Sequence, residues 1–439
     1  MNATGVSILP ESLLSRSCAS LAGALFRPLH ALVNAPVVIF IVALAAMLFR
    51  PPDLKVFPFD RVAFALVVVV FALRLCLRRE HLHASAITWP MLALMLLAFL
   101  GTLQESDAPQ SWSLLAAKWV VPFTLFHIAG SVFRREDSLR KLETFSLAVL
   151  FYLTFVSVVF LFDASSLIYP RFILDEGIGI HADRARGPLL QAVANGVCLN
   201  ILGLIALDCF RRRRRSRVWA LALFCTVPLA LLATRTRSVW LASAVTVGWL
   251  ALFGKNRRLR RPALAISTIG VVLISGAWVC SGSGAGLCER LLDRSPVDFR
   301  LDMYRAGWQM FTEKPIAGWG SEATIQPEIE RRISSFHPER YLFHNTYLEL
   351  AVERGLIGIA LYAWLMVCLF RLAKAPPCRV EKTHFLDSGF RRLWPLILVV
   401  YLINASAVVM NYQFVNGFVF TIAGILAAQN ARAASGLSV

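Results

Sequence analysis

Charged residues are scarce in this sequence, at 16% of its 439 positions, whereas hydrophobic residues make up 57%. The mean hydropathy is +0.62. A soluble chain of this composition lacks the polar residues needed to cover its surface, so the composition indicates a protein embedded in a lipid bilayer. Continuous apolar runs such as residues 62–77 predict membrane-spanning helices and not the short alternating strands of a membrane barrel.

Twelve apolar runs predict an all-α polytopic integral membrane protein with about twelve transmembrane helices. The predicted spans lie near residues 33–49, 62–77, 87–103, 113–133, 143–162, 188–210, 218–234, 238–254, 263–280, 355–372, 393–409 and 416–430. Residues 1–280 are expected to form a transmembrane bundle of spans one to nine, and residues 281–354 a periplasmic segment with amphipathic helices. Residues 355–439 are expected to hold spans ten to twelve and a cytoplasmic C-terminus.

A short apolar core with a small-residue cleavage site is missing from residues 1–20, so no cleavable signal peptide is predicted. Acidic residues are also few, at 27 against 45 lysines and arginines, which gives a formal net charge of +18. This charge lies in short loops between apolar runs, which favours the positive-inside rule over binding to nucleic acid. The loops predicted to be cytoplasmic contain residues 78–79, 134–135, 211–217, 255–261 and 371–392.

The nine cysteines lack the paired C-x-x-C spacing of a zinc or iron–sulfur site. Cys280 and Cys288 both fall at the outer mouth of the predicted ninth span. An oxidising compartment would permit a disulfide between them, and two free thiols beside a glycine-rich turn are the alternative.

Two predicted outer loops are long, at residues 163–187 and 281–354. The second loop has apolar residues at helical spacing in the ranges 301–311 and 344–352, without a run long enough to span a bilayer. It is therefore predicted to hold amphipathic helices that lie on the membrane surface.

Arginines on the outer side run against the positive-inside bias, so each of them needs a reason. Four such arginines are Arg184, Arg186, Arg237 and Arg300. A guanidinium matches the oxygens of a phosphate, which makes these residues candidates for binding an anionic group at the membrane boundary. The alternative is contact with lipid headgroups or ion pairs with acidic neighbours. Those neighbours are Asp183, Asp298 and Asp302.

His344 is predicted to lie at the start of a helix that reaches Gly355 three turns later, on the same face. A neutral imidazole just outside the bilayer is able to accept a proton from a hydroxyl nucleophile. Gly355 and Gly358 predict close packing against a neighbouring helix. His337 is a rival base, although Pro338 after it favours a turn.

Lys118 and His127 are ionisable residues within the predicted fourth span. Lys118 either helps to hold phosphate near the outer end of the span or extends to the membrane interface. His127 lies deeper and is predicted to be hydrogen-bonded inside the bundle.

The pattern His-Asn, nine residues, Gly, two residues, Gly resembles the signature of the O-antigen ligase and polymerase superfamily, and occurs here as His344-Asn345, Gly355 and Gly358. Three further segments agree with that family in order and in predicted sidedness. They are Arg184-Ala185-Arg186-Gly187-Pro188 with Asn195-Gly196, then Thr236-Arg237-Ser238, then Trp308 followed by Pro315-Ile316-Ala317-Gly318-Trp319-Gly320. The resemblance covers about residues 180 to 370 by motif and the rest of the chain by topology.

The resemblance implies a GT-C-like glycosyltransferase of the bacterial inner membrane, with its active site facing the periplasm. Such enzymes take a glycan from an undecaprenyl-diphosphate donor, and the ligases pass O-antigen polysaccharide to lipid A–core oligosaccharide in lipopolysaccharide biosynthesis. Direct displacement at the anomeric carbon would invert its configuration, as the resemblance also implies. By hypothesis His344 is the base, and Arg184 or Arg186, with Arg237 and Arg300, would bind the diphosphate. Asn345, Gly355, Lys118 and His337 would support the site.

The outer loops lack an Asp-x-Asp pair that would hold a divalent cation. We therefore expect a metal-independent reaction without a cofactor, in which arginines take the place of the metal. Asp183, Asp298 and Asp302 are the alternative as metal ligands. The expected partners are the lipid-linked donor, the lipid A–core acceptor and membrane lipids, and no nucleic acid.

Other functions stay open at this point. An O-antigen polymerase and a protein O-oligosaccharyltransferase share the histidine motif, and the acceptor is not written in any motif. A lipid-linked glycan transporter also needs many helices and basic groups, but the sequence shows no repeated halves with broken or ionisable midplane segments. A scaffolding protein would leave the outer arginines and the histidine helix unexplained.

Overall fold

The structure is a computed structural model. It describes residues 35–51, 57–77, 84–104, 109–212, 217–266, 268, 295–320, 322–333, 343–374 and 385–434. Within these ranges the regular structure is helical. The all-α fold predicted from the apolar runs is therefore confirmed for the described part of the chain.

The helices follow the apolar runs of the sequence. They are α1 (Pro36–Phe49), α2 (Phe59–Cys76), α3 (Thr88–Leu103), α4 (Pro109–Leu115), α5 (Val121–Val132), α6 (Glu136–Leu161), α7 (Ala192–Arg212), α8 (Arg217–Ala233), α9 (Arg237–Phe253), α10 (Ser295–Glu313), α11 (Glu322–Arg332), α12 (Thr346–Arg371), α13 (Trp394–Ala405) and α14 (Gln413–Ala434). A π-helical turn, Ala116–Val120, joins α4 to α5.

Every predicted span except 113–133 and 263–280 coincides with one of these helices, and 113–133 runs from α4 through the π-helical turn into α5. Most of 263–280 lies outside the described residues. Five helices in the described ranges are long and apolar enough to cross a membrane. They are Ser111–Val132, Glu136–Leu161, Ala192–Arg212, Thr346–Arg371 and Gln413–Ala434. The chain is a membrane protein on these grounds, and the full count of twelve spans remains a prediction.

The core is built around α7, which is buried along most of its length and packs against α6, α8, α9 and α13. A second close contact joins α5 to α14. Small residues permit it, because a Cβ on Gly130 would lie 2.6 Å from the Cβ of Ala428, and a Cβ on Gly424 would collide with the Phe126 carbonyl. Helices inside a membrane approach closely where such small residues meet.

Alternate loops meet at the same end of the bundle, as the predicted topology requires. At one end Arg212 contacts Glu143 of α6, and Arg211 contacts Asp387 of the segment before α13. At that end Arg391 also donates to Asn430 at 2.6 Å. This end contains the described basic loops that were predicted to be cytoplasmic, and which end faces the cytoplasm remains a prediction.

At the opposite end three connecting segments come together. Thr346, at the start of α12, donates to the Val408 carbonyl at 2.8 Å, and Tyr412 donates to Gln191 at 3.4 Å. Residues 406–412 therefore contact both the start of α12 and Gln191, and the Ala185 amide joins the loop before Gln191 to Ala233. This is the end that holds the residues predicted to act in chemistry.

Candidate functional site

The histidine motif begins α12 with a defined cap. Asn345 is the N-cap, and its side-chain oxygen accepts hydrogen bonds from the Tyr347 and Leu348 amides at 2.9 and 3.2 Å. These amides have no partner within a helix, so the cap stabilises the first turn. His344 precedes the cap with a φ of 48°, which turns the chain sharply at the imidazole. The asparagine of the motif therefore has a structural explanation.

The helix is broken at Gly355, where φ is 60° and ψ is −156°. A loop of residues 315–320 enters the break and satisfies the backbone groups it exposes. Leu356 donates to the Pro315 carbonyl at 2.7 Å and Ile357 to the Ile316 carbonyl at 3.3 Å. In the other direction, Trp319 and Gly320 donate to the carbonyls of residues 352 and 353 at 2.8 and 3.0 Å.

Glycine is required at this crossing. A Cβ on Gly355 would collide with the Ile316 carbonyl, and a Cβ on Gly318 would lie 2.5 Å from the Arg354 nitrogen. Both residues also have a positive φ, which other residues rarely adopt. The Pro-x-x-Gly-x-Gly run and the glycine of the histidine motif are therefore two sides of one backbone contact.

The prediction that Gly355 and Gly358 pack against a neighbouring helix is correct about the close packing and wrong about the element that each glycine packs against. Gly355 meets an irregular loop, and Gly358 makes room for the side chains of Arg354 and Leu350 on its own helix. Spacing along the sequence identified the close approach. It did not distinguish a helix from a loop, because both place backbone atoms against the missing side chain.

The first half of α12 packs on the segment that precedes it. Phe343 and Val352 form a small buried cluster with Met303 and Met310 of α10 and with Ile329 of α11. Gly307 of α10 permits this contact, since a Cβ there would lie 2.8 Å from the Phe343 ring. The helices predicted in 301–311 and 344–352 are thus confirmed, and their position on a membrane surface remains a prediction.

His344 lies in a partly buried, positively charged environment. Burial lowers its pKa below the ordinary value of about 6.5, and the charges of Arg300 and His181 lower it further. The imidazole is therefore neutral at neutral pH and able to accept a proton. Arg300 of α10 therefore acts electrostatically on this imidazole, and His181 is a second such neighbour, which was not predicted from the sequence.

His181 connects this site to Arg184. The Arg184 amide donates to the His181 carbonyl at 3.1 Å, so the two residues belong to one turn. The Arg184 guanidinium is 3.8 Å from the Asp183 carboxylate. The predicted pairing of Arg184 with Asp183 is thus present, and the turn carries Arg184 to the same end of the bundle as His344.

The neighbouring turn between α8 and α9 packs against this loop. Ala185 donates its amide to the Ala233 carbonyl at 3.0 Å, and Arg235 donates to the Asp183 carbonyl at 3.4 Å. Arg237 is exposed at the first position of α9. The arginines at 184, 235 and 237 therefore lie on adjoining segments, and the convergence of Arg184, Arg237 and Arg300 on one anionic group remains a prediction.

Arg186 has a different role from the one predicted. Its side chain is fully buried and donates to the carbonyls of Ile173 at 3.0 Å, Ile178 at 2.5 Å and Asp175. These bonds hold the long loop 163–187 in its fold and direct the guanidinium inward. We therefore remove Arg186 from the group of residues that would bind a diphosphate.

The rest of the arginine–glycine motif is explained by packing. Asn195 donates to the Ala185 carbonyl at 2.8 Å and to Ser157 at 3.0 Å. Gly196 faces Val239 of α9 so closely that a Cβ would collide with the valine side chain. The motif therefore fixes the loop against α6, α7 and α9, and this contact positions the Arg184 turn.

Lys118 and His127 both have partners. Lys118 lies in the π-helical turn and contacts Glu349 of α12 at 2.7 Å. His127 lies 3.1 Å from the Thr88 hydroxyl and 2.8 Å from the Phe123 carbonyl, which confirms the predicted hydrogen bonding in the bundle. Glu349 is a further residue near the site that the sequence analysis missed.

Some predicted residues lie outside the described part of the chain. They are His337, Cys280, Cys288 and the Asp298 side chain. Asp302 is described and pairs with Arg305 at 3.1 Å on the exposed face of α10. Among the described side chains, no group of three His, Cys, Asp or Glu residues is placed to hold a metal ion.

The signals for the two missed residues differ. Glu349 belongs to the histidine helix, but its partner Lys118 is 231 positions away, so no local pattern joins them. His181 lies in the long loop 163–187 and has a positive φ. Its placement beside His344 depends on the packing of that loop, which the sequence does not reveal.

These features define a helical membrane protein with a histidine and several arginines gathered at one end of its bundle. Residues 221–363 match the family model described as O-antigen ligase. The match confirms the resemblance seen in the motifs, and the chain carries an O-antigen ligase family domain over this range. The matched range includes Arg237, Arg300, His344 and Gly355, while Lys118, His181 and Arg184 lie before it. No curated protein matches the chain.

Proposed function

We propose that this protein is an inverting glycosyltransferase of the O-antigen ligase type. It transfers O-antigen polysaccharide from an undecaprenyl-diphosphate carrier to lipid A–core oligosaccharide at the periplasmic face of the inner membrane. The observation that carries the proposal is the placement of a neutral His344 beside Arg300 and the His181–Arg184 turn. His344 and Arg300 lie within the family-matched range, and the turn precedes it.

The first requirement of this reaction is a base for the acceptor hydroxyl. His344 accepts the hydroxyl proton while the acceptor oxygen attacks the anomeric carbon of the glycan. The bond from that carbon to the diphosphate oxygen breaks, and its electron pair leaves with the carrier diphosphate. Attack from the side opposite the leaving group inverts the anomeric configuration, and the carrier departs without its glycan.

The second requirement is stabilisation of the negative charge on the departing diphosphate. Arg184, Arg237 and Arg300 would supply the guanidinium groups. Support comes from the effect of Arg300 on His344 and from the contact between the Arg184 turn and the turn before Arg237. Guanidinium groups bind phosphate oxygens with charge-assisted hydrogen bonds. The bound diphosphate also offsets the positive charges around His344, which raises the pKa of the imidazole and strengthens it as a base.

The arginines would serve in place of a divalent cation. Glycan transfer measured with excess EDTA is therefore expected to match transfer measured without it. Loss of transfer in EDTA, with recovery on adding magnesium or manganese, would contradict this assignment and bring the acidic residues Asp183 and Asp302 into the mechanism.

The acceptor is tested by reconstitution of the purified protein in liposomes with a diphosphate-linked glycan donor. Three acceptors are compared: lipid A–core, a second molecule of donor, and a pilin-like protein. Transfer to lipid A–core alone is the expected result. Longer carrier-bound chains would indicate a polymerase, and glycosylated protein would indicate an O-oligosaccharyltransferase. Movement of intact donor across the bilayer without bond cleavage would indicate a transporter.

The base is tested in the same assay. His344→Ala is expected to abolish transfer while the amount and thermal unfolding of the purified protein stay unchanged. His127→Ala is a matched control, because His127 is hydrogen-bonded within the bundle to Thr88 and Phe123. A fully active His344→Ala protein would remove His344 from the mechanism and return His337 as the candidate.

A further inference from the structure

Lys118 and Glu349 form an ion pair between two elements that are far apart in sequence. The Lys118 ammonium lies 2.7 Å from the Glu349 carboxylate. The side chains are largely withdrawn from solvent, with exposed fractions of 11% and 16%. A lysine that only extended to the membrane interface would not need this partner. The contact therefore has a more specific role than the snorkelling considered from the sequence.

The two residues occupy unusual positions in their helices. Lys118 lies in the π-helical turn between α4 and α5, and such turns often occur at functional positions. Glu349 lies in the first turn of α12, which the Asn345 cap begins. Because its backbone amide donates to the Asn345 carbonyl at 2.9 Å, Glu349 is joined directly to the end that presents His344.

The half of α12 that carries Glu349 is separated from the membrane-spanning half by the break at Gly355. On this first half, Val352 and Leu348 pack with α10 and α11 in a small cluster, while Leu350 and Tyr347 pack on the main core. The orientation of His344 therefore depends on contacts between the first half of α12 and the bundle. Lys118–Glu349 is a charged contact of this kind, beside hydrogen bonds such as Thr346 to Val408.

We infer that Lys118 is a positioning residue, whose ion pair with Glu349 fixes the first half of α12, and so His344, against the bundle. The consequence for glycan transfer rests on the proposed function. The effect of the ion pair on the position of His344 does not rest on the proposed function, so the two ideas can be tested separately. Displacement of a reacting group by about 1 Å can cost on the order of a hundredfold in rate, so the effect is measurable.

The chemistry of the pair suggests the variants. Removing one partner leaves the other charge unpaired in a partly buried site, which can unfold the protein, whereas replacing both with apolar residues is often close to neutral for stability. The test variant is therefore the double substitution Lys118→Met with Glu349→Leu. The matched control is Arg50→Met with Asp60→Leu, a pair of similar burial, at 3.2 Å, that joins the ends of α1 and α2.

The first measurement is kinetic. The Lys118→Met/Glu349→Leu protein is expected to lose roughly tenfold or more in kcat, with the donor KM and the thermal unfolding midpoint close to those of the control pair. The exchanged pair Lys118→Glu/Glu349→Lys is expected to recover part of the lost kcat. The opposite outcome is that the test variant yields less folded protein while the protein that does fold keeps the full kcat. This result would show that the pair has a purely structural role, and it would overturn the inference.

The second measurement does not use transfer. Modification of His344 by diethyl pyrocarbonate is followed by mass spectrometry of its peptide. The rate is expected to rise several-fold in the test variant and to stay unchanged in the control, because His344 is partly shielded in the native site. Equal rates in both variants would overturn the inference. A wild-type protein that transfers no glycan would contradict the proposed function alone, since the modification rates would still test the position of His344.

Discussion

Leu356 donates its backbone hydrogen bond to the Pro315 carbonyl, 2.7 Å away, instead of to the preceding turn of its own helix. The contact exists because Gly355 interrupts α12 and the loop 315–320 fills the interruption. It joins two motifs of the sequence into one structural unit. The histidine at the start of α12 is therefore held by residues that lie before it in the chain.

The first prediction concerns Gly355. Gly355→Ala places a Cβ against the Ile316 carbonyl in a backbone conformation that is almost exclusive to glycine. We expect it to destabilise the protein by about 2 kcal/mol or more and to lower transfer. Thermal unfolding in detergent is the measurement.

Gly248→Ala is the control for Gly355→Ala, since nothing lies within 4 Å of a Cβ there, and an alanine in a helix is tolerated. Equal stability of the two variants would contradict the proposed interlock.

The second prediction concerns the pH dependence of transfer. Burial and the charges of Arg300 and His181 lower the pKa of His344. We therefore expect kcat/KM to rise with pH, and the midpoint of this rising limb to lie below about pH 6.5. Arg300→Gln removes a charge that opposes protonation. The pKa of His344 therefore rises, and the limb moves to higher pH.

The control for this shift is Arg305→Gln on the same helix, because Arg305 is exposed and paired with Asp302 at 3.1 Å. Its pH profile is expected to match the wild type. A limb that stays in place in Arg300→Gln, or that moves equally in both variants, would mean that Arg300 does not act on the base.

The third prediction concerns Arg186 of the arginine–glycine motif. Arg186→Ala removes three buried hydrogen bonds to loop carbonyls and is expected to cost about 3 kcal/mol of stability. Arg171→Ala is its control in the same loop, because Arg171 is exposed and donates to the Ser165 and Ser166 carbonyls at 2.8 and 2.9 Å. It is expected to cost less than about 1 kcal/mol. A stable Arg186→Ala protein with weakened donor binding would return Arg186 to the diphosphate site.

The fourth prediction concerns Arg237, which is exposed at the start of α9. Arg237→Ala is expected to reduce kcat/KM for the donor by roughly 10- to 100-fold, the value of one charge-assisted hydrogen bond. Stability is expected to change by less than about 0.5 kcal/mol, as is usual for a surface substitution.

Arg331→Ala controls for the general loss of positive charge. Arg331 lies on the exposed face of α11 and is paired with Glu328 at 2.7 Å. Equal kinetics in the two variants would exclude Arg237 from donor binding.

Much of the fold was accessible from the sequence, because a membrane helix must satisfy its own backbone hydrogen bonds within one continuous apolar run. Residues 192–212 and 413–434 illustrate this, since each apolar run became one long helix. The role of Asn345 was also local, because a cap acts within its own first turn. The histidine helix and its glycine could therefore be located by spacing alone.

Residues whose partners are distant in sequence were assigned less well. Arg184 and Arg186 are two positions apart and identical in type, yet one lies in the turn beside the site and the other is buried in its own loop. The direction in which each arginine side chain points depends on how the loop 163–187 packs against the helices. His181 and Glu349 were missed for the same reason, since each gains its neighbour only through packing.

The sequence by itself determined that this is a helical membrane protein with motifs that resemble the O-antigen ligase family, because helix length, hydropathy and short motifs are local properties of the chain. The tertiary structure decided that Gly355 receives a loop and not a helix, that Arg186 supports the loop 163–187, and that Lys118 pairs with Glu349. The physical reason is the same in each case. A hydrogen bond or ion pair acts over a few ångströms in space, and spacing along the chain carries no information on which distant residues meet at that distance.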